Sequence, residues 1–286
     1  MVFKGDAPST TVVSFDRAVA YAFASAGHAV VAPDYLGLGE GPGTHPYDDI
    51  PSEVTAAIDA LRAAASLTSE FVPADGRQVL ISGFSQGGPA AVAMAKAIQD
   101  GEGLPWKLGG VAAIAGPYQM SQSVALAATG EIAFASVYLS YFSIAWNRLH
   151  GLYQHPSDAF SSPYDQTIEA LFDNEHTTEE IFAHVPPDLD ELFTAAFLDE
   201  LRHPGPLLQS ALAVADRVCD WTPSVPVHLY TAAGDLDVPS ANTEYCAERF
   251  SRHGGHVIVI DQGDVDHETS AALSLPDILT TFEGMQ

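Results

Sequence analysis

The sequence predicts an α/β fold in which a mostly parallel sheet is flanked by helices. Strand-forming and helix-forming segments alternate along the first 115 residues and again from residue 225 onward, which is the rhythm of βαβ units. Between Gly116 and Trp221 the strand signals vanish and apolar residues recur at helical spacing. We therefore predict a single domain over residues 1–286, with a core of residues 1–116 and 222–286 and a helical cap inserted at about 117–221.

Each predicted element follows from its hydrophobic pattern and the turn residues that bound it. The first part of the core alternates helix and strand, in the order helix 9–26, strand 28–32, helix 52–66, strand 77–82, helix 89–99 and strand 108–115. The last part contains strands over residues 225–231 and 256–260, and a terminal helix follows them. The insertion carries large apolar side chains that suit a buried cap core better than a pocket lining, namely Phe142, Trp146, Leu149, Tyr153, Phe193 and Phe197.

A serine flanked by glycines lies between a predicted strand and a predicted helix, in Gly83-Phe84-Ser85-Gln86-Gly87. Glycines two positions before and after the serine remove the Cβ atoms that would block a sharp turn. The pattern and its context predict a nucleophile elbow, with Ser85 as the nucleophile and the backbone N–H of Gln86 as an oxyanion donor. The alternative is a glycine-rich loop that carries a solvated serine.

A nucleophilic serine needs a general base, and the base needs an acid that orients it. His267 follows the strand predicted at 256–260, and Asp235 and Asp237 follow the strand predicted at 225–231. The order serine, aspartate, histidine is the one that enzymes with a nucleophile elbow use. Only one of the two aspartates can point at the histidine, and the other would be a carboxylate that caps backbone amides of the loop.

Taken together, these motifs resemble the α/β-hydrolase superfamily, and within it the secretory-lipase-like and related bacterial serine esterases. The resemblance also includes the segment 32–39 after the first predicted strand, and Asn242 after the acid loop. It implies an α/β-hydrolase fold that cleaves a small-molecule carboxylic ester through a Ser-His-Asp triad and an acyl-enzyme, without a metal or an organic cofactor. Similar hydrolases place the acid four residues before a proline, which favours Asp235 because Pro239 follows it at that distance.

The resemblance further implies elements that lie upstream of this sequence. Related esterases carry a His-Gly strand and loop just before a segment like residues 4–9, and that loop donates one oxyanion N–H. Three early strands of the usual eight have no counterpart, including one that normally lies between the strands near residues 30 and 80. We favour a start that lies upstream over a degenerate chain, because the site residues downstream are intact. One missing oxyanion donor would lower the rate by about 10²- to 10³-fold, so activity of the truncated chain is an open point.

Several other functions are compatible with the same sequence motifs. A serine aminopeptidase, a lactonase or an acyltransferase would use the same triad on the same fold. A non-catalytic binding protein of hydrolase-like fold, or an inactive truncated form, belongs to a different class and agrees with the absent oxyanion strand.

The composition restricts the partners. The chain has 37 acidic and 11 basic residues and a formal net charge of −26. The negative electrostatic field of such a chain repels nucleic acid and anionic membranes. It contains no stretch of about 18 apolar residues, so a membrane span is not predicted. Residues 1–6 lack the apolar run of a secretory signal, so the chain as written carries no export signal and would be cytoplasmic. The localisation is left open, because a start that lies upstream could add such a signal. The sequence leaves the oligomeric state open.

Two cysteines, Cys219 and Cys246, are too few for a disulfide scaffold, and we expect free buried thiols. The ten histidines other than His267 suit packing, surface or helix-end positions. Those of the insertion lack metal-ligand spacing, so no metal site is predicted.

Overall fold

The structure of the protein is a computed structural model that describes residues 3–10, 14–67, 78–102 and 106–285. Short 3₁₀ turns lie at Lys4–Asp6 and Tyr164–Gln166. In chain order the described helices and strands are α1 (Phe15–Ser25), α2 (Ile50–Leu67), β1 (Gln78–Phe84), α3 (Gly87–Gln99), β2 (Lys107–Ile114), α4 (Met120–Ala128), α5 (Ala135–His150), α6 (Pro156–Ala159), α7 (Ile168–Leu171), α8 (Thr178–His184), α9 (Leu189–Leu192), α10 (Ala195–Arg202), α11 (Pro206–Ala215), β3 (Val227–Thr231), α12 (Ala241–Arg252), β4 (Val257–Asp261) and α13 (His267–Glu283).

The described residues form two compact units. The sheet unit consists of the described parts of Val13–Pro33, Ile50–Gln119 and Asp216–Gln286. The helical unit consists of the described parts of Met1–Val12, with Asp34–Asp49 and Met120–Ala215. The predicted single-domain organisation, with a cap at about 117–221, stays a prediction.

The sheet unit is built on four parallel strands in the order β1-β2-β3-β4. Helix α3 packs on β1 and β2, α13 packs on β2 and β3, and α12 packs on β3 and β4. This arrangement confirms the predicted parallel sheet flanked by helices. Because parallel strands end at the same edge, the loops after β1, β3 and β4 lie close together at the carboxyl edge of the sheet.

One buried cluster joins the sheet to the terminal helix. Alternate residues of β2 point to the same face of the sheet, so Ala112 and Ile114 both face α13. There they pack with Tyr230 of β3 and with Ile278 and Phe282 of α13. This packing fixes α13 against the sheet, and α13 begins at His267.

The helical unit contains most of the segment in which strand signals are missing from the sequence, together with residues 34–49 and the described part of residues 1–12. Its described residues contain an isolated antiparallel bridge between Phe160 and Phe193 in place of a strand. Of the six large apolar side chains expected in the cap, five are buried, which are Phe142, Trp146, Tyr153, Phe193 and Phe197. The sixth, Leu149, is 45% exposed and lines a groove of about 560 Å³ between α5 and residues 34–46.

Among the described residues, no helix combines the length and apolarity that crossing a bilayer requires.

The prediction of a strand over residues 28–32 is wrong. This segment belongs to no strand, and Val30 and Val31 are 39% and 38% exposed. Strand β1 is an edge strand of the described sheet, with β2 as its neighbour. An apolar run suits a strand, but the strand forms only where a neighbour in register can pair its N–H and C=O groups.

Two predicted boundaries near the N-terminus also differ. Helix α1 begins at Phe15 and not at residue 9, because the Ser14 side chain caps the helix by accepting a hydrogen bond from the Arg17 N–H. Residues 8–10 form a turn, and residues 11–13 of the predicted helix lie outside the described residues. Arg77, the predicted start of β1, also lies outside them.

The prediction of free thiols is wrong, because Cys219 and Cys246 form a disulfide. Their Cα atoms are 5.4 Å apart, since α12 packs beside the segment that leads into β3. The sequence gives the number of cysteines but not their distance in the fold. Closing a loop with a sequence separation of 27 stabilises the folded state by about 3 to 4 kcal/mol in the chain-entropy model.

Asp48 of the helical unit makes stability depend on pH. Burial raises the pKa of Asp48 to about 7 from an ordinary value of 3.8, although a hydrogen bond from the Tyr47 side chain acts in the opposite direction. Between these values the folded state holds a proton that the unfolded state has lost, so rising pH favours unfolding. The contribution of this group is fully present below about pH 4 and is lost as the pH rises through 7, at a cost of about 4 kcal/mol.

We therefore expect Asp48→Asn, which cannot ionise, to gain stability relative to the wild type as the pH rises. Urea unfolding at pH 4 to 8 measures the difference in free energy of unfolding between the two proteins. Asp59→Asn, at a side chain that is 64% exposed, is the matched control and should show no such trend. Parallel pH profiles for the wild type and Asp48→Asn would contradict the account.

Candidate active site

Ser85 occupies a strained turn at the carboxyl end of β1. Its φ angle is +55°, a conformation that a residue with a side chain adopts only where its surroundings enforce it. The Ser85 N–H donates to the carbonyl oxygen of Ile114 at 2.9 Å, and the Ser85 carbonyl accepts from the Gly88 N–H at 2.8 Å. The turn is thus anchored to β2 on one side and to α3 on the other.

The glycines around Ser85 allow this turn. A Cβ on Gly83 would lie 1.9 Å from the carbonyl oxygen of Gly87, so a side chain at residue 83 is excluded. A Cβ on Gly88 would lie 2.9 Å from the Cα of Gly116, in the loop after β2. Glycine therefore brings the start of α3 close to β1 and to that loop, as a nucleophile elbow requires.

Asp235 lies in the loop after β3 and is buried. Its Oδ2 lies 2.7 Å from Nδ1 of His267. Its Oδ1 accepts hydrogen bonds from the backbone N–H groups of Asp237 and Val238, both at 2.9 Å. Of the two aspartates in this loop, Asp235 faces the histidine, while Asp237 contributes a backbone donor that fixes the Asp235 carboxylate.

His267 is the first residue of α13, and it contacts both of the other side chains. Its Nε2 lies 2.8 Å from the Ser85 hydroxyl oxygen, and its Nδ1 faces Asp235. The Phe84 ring packs against the imidazole with a centroid separation of 4.5 Å. The three predicted side chains, drawn from loops after β1, β3 and β4, therefore form one hydrogen-bonded chain.

The residue before His267 anchors it. Asp266 caps α13 by accepting a hydrogen bond from the Thr269 N–H at 2.8 Å. The same bond lowers the pKa of the Asp266 carboxyl, because it stabilises the ionised form. A charged cap at this position keeps the first turn of α13 in place and with it the imidazole ring.

Gln86 lies directly before α3, as its N-cap residue, and already has helical backbone angles, φ −45° and ψ −38°. Its backbone N–H lies at the N-terminal end of that helix, where the helix dipole favours negative charge. Its side-chain Nε2 donates a hydrogen bond of 2.6 Å to Oε1 of Glu53 on α2. Glu53 is 1% exposed.

The sequence did not point to Glu53, Phe84 or Asp266 as parts of this site. Asp266 carries a detectable signal, because an aspartate just before a helix is a common N-cap. Glu53 carries none, since a glutamate in the first turn of an amphipathic helix is usually solvated. Within the described ranges, no group of three or more His, Cys, Asp or Glu side chains is arranged to hold a metal ion.

The contacts define what the arrangement can do chemically. A carboxylate on Nδ1 holds the proton of the imidazole on that nitrogen, so that Nε2 is left to accept the proton of the Ser85 hydroxyl. Loss of that proton would make the serine oxygen a nucleophile, and the buried Asp235 would stabilise the imidazolium that forms.

Comparison with solved structures finds esterases and lipases of similar fold. The rice cell wall degrading esterase LipA of Xanthomonas oryzae is 26% identical, with a TM-score of 0.79 over 88% of this chain and 71% of that chain. A Legionella pneumophila protein at 24% identity has a TM-score of 0.83 over 91% and 70%. Candida antarctica lipase A, at 14% identity, has a TM-score of 0.62 over 84% and 56%, and this likeness concerns the fold alone.

No curated protein sequence matched the chain. A family model, described as the alpha/beta hydrolase family, matches residues 11–276. Together with the similar structures, this match confirms the predicted α/β-hydrolase fold and supports a hydrolase activity. The chain therefore belongs to the alpha/beta hydrolase family.

Proposed function

We propose that the protein is a serine hydrolase that cleaves carboxylic esters through an acyl-enzyme. The observation that carries the proposal is the hydrogen-bonded chain from Ser85 through His267 to Asp235, with distances of 2.8 and 2.7 Å. The similarity to LipA, described as a cell wall degrading esterase, supports ester cleavage over the other reactions that such a triad performs.

In the first half of the reaction, the Ser85 oxygen attacks the ester carbonyl while His267 Nε2 takes its proton. The carbonyl oxygen becomes negatively charged and lies near the backbone N–H of Gln86, at the positive end of α3. His267 then gives the proton to the departing alcohol, and the acyl group stays on Ser85.

In the second half, water replaces the alcohol. His267 takes a proton from the water, which attacks the acyl carbonyl, and the carboxylic acid leaves as Ser85 regains its proton. Asp235 keeps the imidazole in one tautomer throughout, because its Oδ1 is held by two backbone N–H groups and its Oδ2 is left to face Nδ1. Every step uses groups of this chain.

The proposal is tested with p-nitrophenyl acetate, butyrate and octanoate. We expect hydrolysis above the buffer rate, and the order of kcat/KM among the three esters will report the preferred acyl length. Circular dichroism and a thermal melt on the same preparation show whether the protein is folded. A folded protein that hydrolyses none of the three esters would contradict the proposal and favour a binding protein of hydrolase-like fold.

A further inference from the structure

A buried carboxylate contacts the residue that follows the nucleophile. Glu53 lies in the first turn of α2, and its Oε1 accepts a hydrogen bond from Gln86 Nε2 at 2.6 Å. Both residues belong to the sheet unit, in which α2 packs against α3. At 1% exposure, Glu53 is far more buried than glutamates usually are, and a buried carboxylate is costly unless hydrogen bonds compensate it.

The contact bears on the strained part of the turn. Ser85 has a positive φ and Gln86 has helical angles, so the peptide between them joins the strained residue to the start of α3. That peptide carries the Gln86 N–H. Strained backbone persists only where neighbouring contacts determine it. Two such contacts are made by backbone groups, from Ser85 to Ile114 and from Gly88 to Ser85.

The Gln86 side chain supplies a third contact, from α2. A hydrogen bond between an amide donor and a carboxylate is short and strong, and it limits the rotation of the whole Gln86 side chain. Fixing that side chain also fixes the Cα from which it projects, and with it the direction of the backbone N–H.

We propose that Glu53 is a positioning residue for oxyanion stabilisation. It holds the Gln86 side chain so that the Gln86 backbone N–H points to the place where the negative oxygen forms. This inference rests on the proposed function, and it assigns a role in the reaction to a residue that lies outside the elbow. Glu53 itself acts through Gln86, without contact to the reacting atoms.

The test is a double-mutant cycle in the full chain with Glu53→Ala, Gln86→Ala and the pair, assayed on p-nitrophenyl butyrate. Each single change should lower kcat by about 10- to 100-fold, which is at most the low end of the loss of about 10²- to 10³-fold that removal of a whole oxyanion donor causes. Each should change KM by less than about threefold. The pair should lose no more than either single variant, because both changes remove the same contact.

Two further variants separate positioning from a structural role. Glu53→Gln keeps a carbonyl oxygen that can accept from Gln86, and we expect kcat within about threefold of the wild type. Gln99→Ala, at the other end of α3, where the side chain donates to the Thr222 carbonyl, should leave kcat unchanged. If Glu53→Ala does not fold, the kcat values of Gln86→Ala and Glu53→Gln test the positioning role.

An unchanged kcat in Gln86→Ala, or losses from the two single changes that multiply in the pair, would overturn the positioning role and leave the proposed function standing. A wild-type protein that is folded but inert on every ester would overturn both. These two results are distinct, since the first needs an active wild type.

Discussion

Replacement of Ser85 by alanine is expected to lower kcat for ester hydrolysis by about 10⁵- to 10⁶-fold. A loss of this size follows if Ser85 forms the covalent intermediate, because the remaining groups can stabilise an oxyanion but have no nucleophile to act with. The change removes one hydroxyl from a half-buried side chain and keeps the turn, so the thermal stability should stay close to that of the wild type.

The comparison requires steady-state kinetics on the same ester for the wild type, Ser85→Ala and a matched control. Ser66→Ala is suitable, because its hydroxyl donates only to the Ala63 carbonyl on an exposed part of α2. The control should retain full activity. A Ser85→Ala protein with more than about one tenth of the wild-type kcat would show that another group is the nucleophile.

Asp235→Asn is expected to lower kcat by about 10⁴-fold. The asparagine Oδ1 can still accept from the backbone N–H groups of Asp237 and Val238, so the loop should keep its shape. Its amide nitrogen then faces Nδ1 of His267 as a donor, which favours the tautomer with the proton on Nε2. In that tautomer Nε2 cannot accept the proton of Ser85, and the neutral amide no longer stabilises the imidazolium.

Asp237→Asn provides the matched control in the same loop. The Asp237 backbone N–H, which bonds to Asp235, is unaffected by this change, and kcat should stay within about threefold of the wild type. The two variants therefore also decide between the two aspartates that the sequence offered as the acid. If Asp237→Asn loses more activity than Asp235→Asn, the assignment of Asp235 is wrong.

The sheet could be predicted from the sequence because its strands are short apolar runs that end in loops rich in glycine and aspartate. The predicted strand over 108–115 and the predicted helix over 89–99 agree with β2 and α3 within two residues. The residue pattern also predicts that Ser85, Asp235 and His267 lie at the carboxyl edge of the sheet, since each follows the carboxyl end of a parallel strand. Their catalytic roles stay predictions.

Other features depend on contacts that no local pattern encodes. Residues 28–32 have the composition of a strand but do not belong to the described sheet. The disulfide joins residues whose proximity arises from the packing of α12 beside the segment before β3. The contact between Glu53 and Gln86 arises because α2 packs on α3, so it depends on the relative placement of two helices that are separate in the sequence.

The most direct test of the central claim is the reaction of the folded protein with a fluorophosphonate probe, followed by mass spectrometry of the intact protein and its peptides. A serine whose hydroxyl is activated by a histidine reacts covalently with such a probe, whereas an ordinary surface serine does not. We predict one adduct per chain, located on Ser85, and none in Ser85→Ala. A folded protein that takes no adduct, or takes it on a residue other than Ser85, would contradict the account.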